Sequence, residues 1–186
     1  MKPEKTRFTE NLVRANGLDF RKWIFRPGMR FGSREKWWAE GLPPRAGGWH
    51  NGLDLALYES GGGRTEALPE GTKIPLLYPG RIVKIMPDFL GESIFVENEA
   101  RPAAAKTKKR FFTVYGHLSP EPGIEGRRLE EGLVIGRTAR LTKSPVPAHL
   151  HISVLLLPQE VPDERLDWKV LDETDGVEFL DPEGVL

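Results

Sequence analysis

The chain has 186 residues, and its 27 lysine and arginine side chains are matched by 27 aspartates and glutamates, for a formal net charge of zero. That balance excludes recruitment of nucleic acid or an acidic membrane surface by overall charge. Cysteine is absent, which excludes disulfides and thiolate metal ligands and leaves carboxylates and four histidines as the metal donors.

The length suits one domain, or one domain with extensions, and is ample for a hydrophobic core. Met1 to Asn16 carries scattered charges without the apolar stretch of a signal peptide. Residues 8–24 are expected to form one helix, with Leu12, Ala15 and Phe20 or Trp23 on a face. Ser60 to Arg64 (SGGGR) reads as a flexible loop, since no lysine-serine pair follows to make it a phosphate cradle. Short apolar segments punctuated by 20 glycines and 16 prolines then predict a mostly β, antiparallel fold. The expected strands are Lys73 to Leu77, Arg81 to Met86, Ser93 to Asn98, Phe111 to Tyr115, Leu133 to Ile135 and Leu150 to Leu157. Pro79-Gly80 is a tight turn between the first two. Glu99 to Arg110 is expected to be a long hairpin loop, its basic run Lys106 to Arg110 a solvated tip rather than a phosphate patch. Pro158 to Glu178 reads as an acidic excursion before a last strand. No apolar run reaches the roughly 18–20 residues of a membrane span. Most of the five tryptophans are expected to pack in the core or at its edge. Trp49 stands apart because it adjoins a histidine.

The four histidines fall in three segments: Gly48-Trp-His50-Asn-Gly-Leu-Asp54, Tyr115-Gly-His117-Leu-Ser119 and His149-Leu-His151. Side chains two apart on a strand share a face, as do side chains four apart on a strand or helix. His149 and His151 therefore pair, as do His50 and Asp54, and the two pairs facing each other would surround one small cation. Zinc suits imidazole and carboxylate donors, and a catalytic zinc keeps one position open for water. Such a site, with a spare histidine to move protons, is a hydrolase arrangement. Each histidine taken singly is explained as well by a core or surface position, and spacing does not say which of them are ligands.

The wider context is more specific. Phe31-Gly-Ser-Arg34 precedes His50-Asn-Gly-Leu-Asp54-Leu-Ala56. Glu70 to Val83 (EGTKIPLLYPGRIV) follows, then Tyr115-Gly-His117-Leu-Ser119, Gly132-Leu-Val-Ile-Gly136, His149-Leu-His151-Ile-Ser and Leu180-Asp-Pro182. In this order the segments resemble the lysostaphin/LytM-type zinc metallopeptidases, over roughly residues 30 to 184. The resemblance implies that family's duplicated hybrid motif fold, an antiparallel β-sheet domain with a zinc-containing groove over residues 30–186, preceded by a short helical extension at 1–29. It implies one zinc ion held by His50, Asp54 and His151. His149 is then the general base toward the nucleophilic water, and His117 stabilises the oxyanion or passes a proton to the leaving amine. Tyr115, two residues before His117, and Trp49 are candidates to line the substrate groove. The implied activity is endopeptidase cleavage of peptidoglycan stem peptides or cross-bridges by a monomer, without nucleic acid or a membrane span.

Three departures stand out. Arg140 to Ala148 replaces a glycine- and threonine-rich stretch before His149, residues 32–49 with Trp37 and Trp38 form an added groove wall, and no export signal accompanies an activity expected in the cell envelope or outside the cell. A cytoplasmic or phage-related substrate therefore stays open. So does a non-catalytic peptidoglycan-binding regulator of another cell-wall hydrolase, although such relatives typically lose the metal ligands kept here.

Overall fold

The computed structural model describes residues 5–39, 41–45, 48–99, 108–140 and 145–186. Helix α1 (Phe8–Asn16) is followed by strands β1 (Lys22–Ile24), β2 (Leu53–Leu55), β3 (Leu57–Glu59), β4 (Thr65–Ala67) and β5 (Lys73–Pro75). The longer strands come next: β6 (Gly80–Pro87), β7 (Glu92–Asn98) and β8 (Arg110–Pro120). Then come β9 (Arg128–Leu129), β10 (Val134–Thr138), β11 (Leu150–Leu157), helix α2 (Trp168–Glu173) and β12 (Glu178–Leu180). Every strand pairing among the described residues is antiparallel. The main sheet runs β12-β11-β8-β7-β6-β9, with β2 added against the start of β11 and β10 joining the end of β8 to β5, while β1-β3-β4 forms a small second sheet.

The site is positioned by the two-residue alternation of β11, whose eight residues are all buried. Leu150, Ile152, Val154 and Leu156 enter the main core with Ile94, Val96 and Tyr115. Leu155 and Leu157 point to the opposite face, where Phe95, Phe112, Val114, Leu166 and Leu171 cover them. That second face is covered by the segment carrying α2, whose Trp168 packs edge-on against His151.

The predicted strand at Leu150 to Leu157 matches β11 in both bounds, and four others match β5, β6, β7 and β10 within one to three residues. The sequence reading missed β1 to β4 and β9, which are two or three residues long, while the last strand expected after the excursion is β12. The expected helix over 8–24 ends at Asn16. Gly17 adopts φ 61°, and its N–H caps the Val13 carbonyl, a left-handed conformation that glycine takes without steric cost. Lys22–Ile24 then pairs with β3 instead of extending the helix. The helix is bound into the body of the protein: Phe8 and Leu12 are fully buried in the main core, and Thr6 hydrogen-bonds to the Val185 carbonyl. Most of the expected hairpin loop at 99–110 lies outside the described residues, as does 141–144 of the altered stretch before His149. The excursion after Pro158 contains α2, whose N-cap Asp167 accepts from the Val170 N–H.

Candidate metal centre

The site begins with strand register. Pairing of β2 with β11 sets Asp54 opposite His151, and β8 places Gly116 on the other flank of His151. Gly52 leaves the room this requires, since a Cβ there would lie 2.4 Å from the Ile152 carbonyl and 2.6 Å from the His151 ring. His50 precedes β2 and is held outside the sheet by its backbone. Its N–H donates to the Ser33 carbonyl, and its carbonyl accepts from the Gly32 N–H.

These elements bring three donor atoms together. His50 Nε2 lies 3.1 Å from Asp54 Oδ1 and 3.1 Å from His151 Nδ1, and His151 Nδ1 lies 2.9 Å from Asp54 Oδ1. The remaining ring nitrogens show where the protons are, since a nitrogen facing a carbonyl must carry the hydrogen. His50 Nδ1 donates to the Arg30 carbonyl at 3.1 Å. Ser153 Oγ spends its hydrogen on the Asn51 carbonyl, so it accepts from His151 Nε2 at 2.9 Å. Both imidazoles therefore turn lone pairs toward the carboxylate oxygen.

Electrostatics agree with that assignment. Burial lowers the His151 pKa to about 4, against the raising influence of Asp54. Burial pushes Asp54 upward, but the surrounding imidazoles of His151, His50 and His149 outweigh it and hold the carboxyl well below the usual range. A buried carboxylate facing two lone pairs is costly unless a cation joins it. The donor set fits zinc: bond lengths of roughly 2.0–2.1 Å in a tetrahedron separate ligands by about 3.3 Å, close to all three distances. His50, Asp54 and His151 are all buried and form a group suited to a metal ion.

The other two histidines border this triangle. His149 Nδ1 donates to the Pro147 carbonyl at 2.8 Å, which leaves Nε2 as a lone pair 3.8 Å from Asp54 Oδ1. Burial lowers the His149 pKa, with Asp54 opposing. The His117 ring lies 4.8 Å from that of His149. Its backbone takes φ 66°, the only positive φ outside glycine among the described residues, and one carboxylate holds it there. Asp88 accepts from the His117 N–H at 2.8 Å and from His117 Nδ1 at 3.1 Å. Asp88 also gathers the N–H groups of Leu90 and Gly91 and the Ser93 hydroxyl. Burial raises the Asp88 pKa, but its His117 and backbone hydrogen bonds prevail and hold it far down.

The backbone reversal at His117 corrects the expected place of Tyr115. Strand alternation predicted that the two share a face, but Tyr115 is fully buried in the main core, where its hydroxyl accepts the Leu77 N–H at 2.7 Å. Trp49 does line the groove, half-exposed and packed edge-on against Phe31 and Phe179. The sequence reading passed over Asp88, Ser153, Arg45 and the indole of Trp37. Asp88-Phe-Leu-Gly91 carries the Asp and Gly of a side-chain-closed turn, a signal that could have found Asp88. The open cavity above the triangle measures about 550 Å³, with the four histidines on its floor and Trp38, Trp49, Phe89, Trp168 and Phe179 among its walls.

No protein-family profile matches the chain, and no curated protein does. Several solved structures align with it. The catalytic domain of the antimicrobial peptidase lysostaphin from Staphylococcus simulans aligns at TM-score 0.47 and 18% identity, over 83% of this chain and 93% of that one. LytU aligns at TM-score 0.48 and 20% identity, over 88% and 89%. A zinc-containing peptidase from Vibrio cholerae aligns at TM-score 0.46 and 21% identity, over 80% and 41%. Alignments at those values do not speak to chemistry, which must be carried by this chain's own side chains.

Proposed function

We propose that the chain is a zinc-dependent endopeptidase acting on peptides of the bacterial cell wall. The observation that carries the reading is the triangle of His50 Nε2, Asp54 Oδ1 and His151 Nδ1, three lone-pair atoms within 3.1 Å of one another. A zinc ion held by these residues would supply Lewis acidity, bringing the pKa of a water toward neutrality and polarising the scissile carbonyl. His149 offers an unprotonated Nε2 at the edge of the triangle, placed to take the proton of the attacking water. His117 is backed at Nδ1 by the Asp88 carboxylate, which orients the ring. Its Nε2 can then donate to the oxyanion or to the departing amine. The ordered resemblance of the three histidine segments to lysostaphin/LytM-type peptidases points to the same roles and to peptidoglycan as substrate. It also supports action as a monomer in the envelope or outside the cell.

The test is incubation of the zinc-loaded protein with defined muropeptides, followed by mass spectrometry. The expected result is a pair of fragments whose masses sum to the parent plus one water, strongly reduced with the His149→Ala variant. Muropeptides that bind but stay intact would contradict catalysis and favour a regulator that only occupies cell-wall peptide.

A further inference from the structure

The two oxygens of Asp54 live in different surroundings. Oδ1 faces His50 and His151. Oδ2 points the other way, accepts the indole N–H of Trp37 at 2.7 Å, and lies 3.7 Å from Nη2 of Arg45. Trp37 follows the turn at Pro27–Met29 and packs edge-on against His149 with ring centroids 5.2 Å apart. Its backbone is seated firmly: at Gly28 a Cβ would come within 2.7 Å of the Trp37 backbone nitrogen. Trp37 is buried in a small apolar cluster with Met29 and Ala56. Arg45 is fixed in turn by hydrogen bonds to the Glu35 and Gly28 carbonyls.

From this we infer that Trp37 is a positioning residue for the metal centre: its indole N–H, with Arg45 behind it, reserves Asp54 Oδ2 and leaves only Oδ1 for a metal ion. The inference rests on the zinc reading above. A carboxylate free at both oxygens can rotate or bind two-pronged and fill the position that water needs. One pinned by a donor on its outer oxygen binds through a single atom and is pre-oriented before the ion arrives. The indole N–H cannot be lost by titration, so this restraint persists across the working pH range. The same side chain abuts the ring of His149, so one residue sets the relation between a ligand and the base.

The test is zinc affinity, measured by competition against a chromophoric chelator, with the visible absorption of the cobalt(II)-loaded protein as a second readout. Trp37→Phe keeps an aromatic ring against His149 and removes the donor. The expected result is a loss of about 10-fold to 100-fold in zinc affinity, with a changed cobalt spectrum. Trp23→Phe, whose parent indole donates to the Thr9 hydroxyl and not to the carboxylate, should stay within about twofold of the parent on the same scale. If Trp37→Phe does not fold, site-specific benzothienylalanine at position 37 keeps the bicyclic shape without the N–H and should show the same loss. Parent affinity and spectrum in a folded Trp37→Phe or benzothienylalanine protein would overturn the positioning role while leaving the zinc reading intact. A parent that binds zinc no better than His151→Ala would overturn both.

Discussion

Two clusters of charged and titratable side chains sit at opposite ends of β8. At its start, Arg110 holds Glu97 through Nε and Nη2 at 2.9 and 3.0 Å and also binds Asp163. Arg81 closes the ring, 2.8 Å from Asp163 and 3.2 Å from Glu97. Two guanidiniums meet two carboxylates, and the hydrogens of the arginines point at oxygens. Toward the other end, where His151 pairs with Gly116, Asp54 meets the ring nitrogens of His50 and His151, and the hydrogens of both rings point away from it. The first cluster is electrically complete and ties the α2 segment to the sheet. In the second, Trp37 and Arg45 satisfy Asp54 Oδ2 while Oδ1 meets only lone pairs, and that contrast separates a structural network from a ligand site better than burial or the number of charges does.

The contrast can be broken at either cluster. Asp54→Ala or His151→Ala removes one corner of the triangle, and peptidase activity should fall to background, read as fragment yield from muropeptides. His149→Ala leaves the triangle whole and should lower turnover by about 10²–10⁴-fold, the usual worth of a positioned base. At the complete cluster the effect should be smaller and should appear in stability. Arg110→Met leaves Glu97 and Asp163 with Arg81 alone. With both carboxylates partly solvated, the cost should be about 1–2 kcal/mol in denaturant unfolding, with zinc content unchanged. A catalytic defect without a stability loss would contradict this division of roles.

The smallest expected effect is in acid. Arg110 hydrogen bonds hold the Glu97 carboxyl below its ordinary range, against burial. Asp163 is pushed up by burial, but hydrogen bonds from Arg110 and Arg81 bring it lower still than an exposed aspartate. Because both folded values lie below the unfolded ones, their stabilisation is fully present above about pH 4–5 and fades as pH falls through the lowered values. Unfolding midpoints measured between pH 6 and pH 3 should therefore decline less steeply in Arg110→Met than in the parent, and parallel curves would count against the network.

The legible and illegible parts of the fold divide along similar lines. β11 was plain in the sequence because eight consecutive residues are buried on both faces and bounded by prolines, so apolar character alone outlines it. The pairing of Asp54 with His151 follows from the register of β2, a strand of three residues that no local pattern announces. The histidine segments could be gathered by their order and resemblance, but spacing could not separate ligand from base. In the structure the rings differ in their distance from Asp54 Oδ1, 3.1 and 2.9 Å for His50 and His151 against 3.8 Å for His149, and those distances are set by tertiary contact. Tyr115 was misplaced because strand alternation assumes ordinary backbone, and His117 departs from it at φ 66°. Trp37 could not be assigned at all: it sits in a segment without periodicity, and its partner lies 17 residues away.

The central claim, that three lone pairs converge to hold one cation, is tested most directly by zinc content per chain after purification and dialysis. The account predicts one zinc per chain in the parent and in His149→Ala, and none in Asp54→Ala or His151→Ala. Equal zinc in all four proteins, or none in the parent after exposure to zinc, would contradict it.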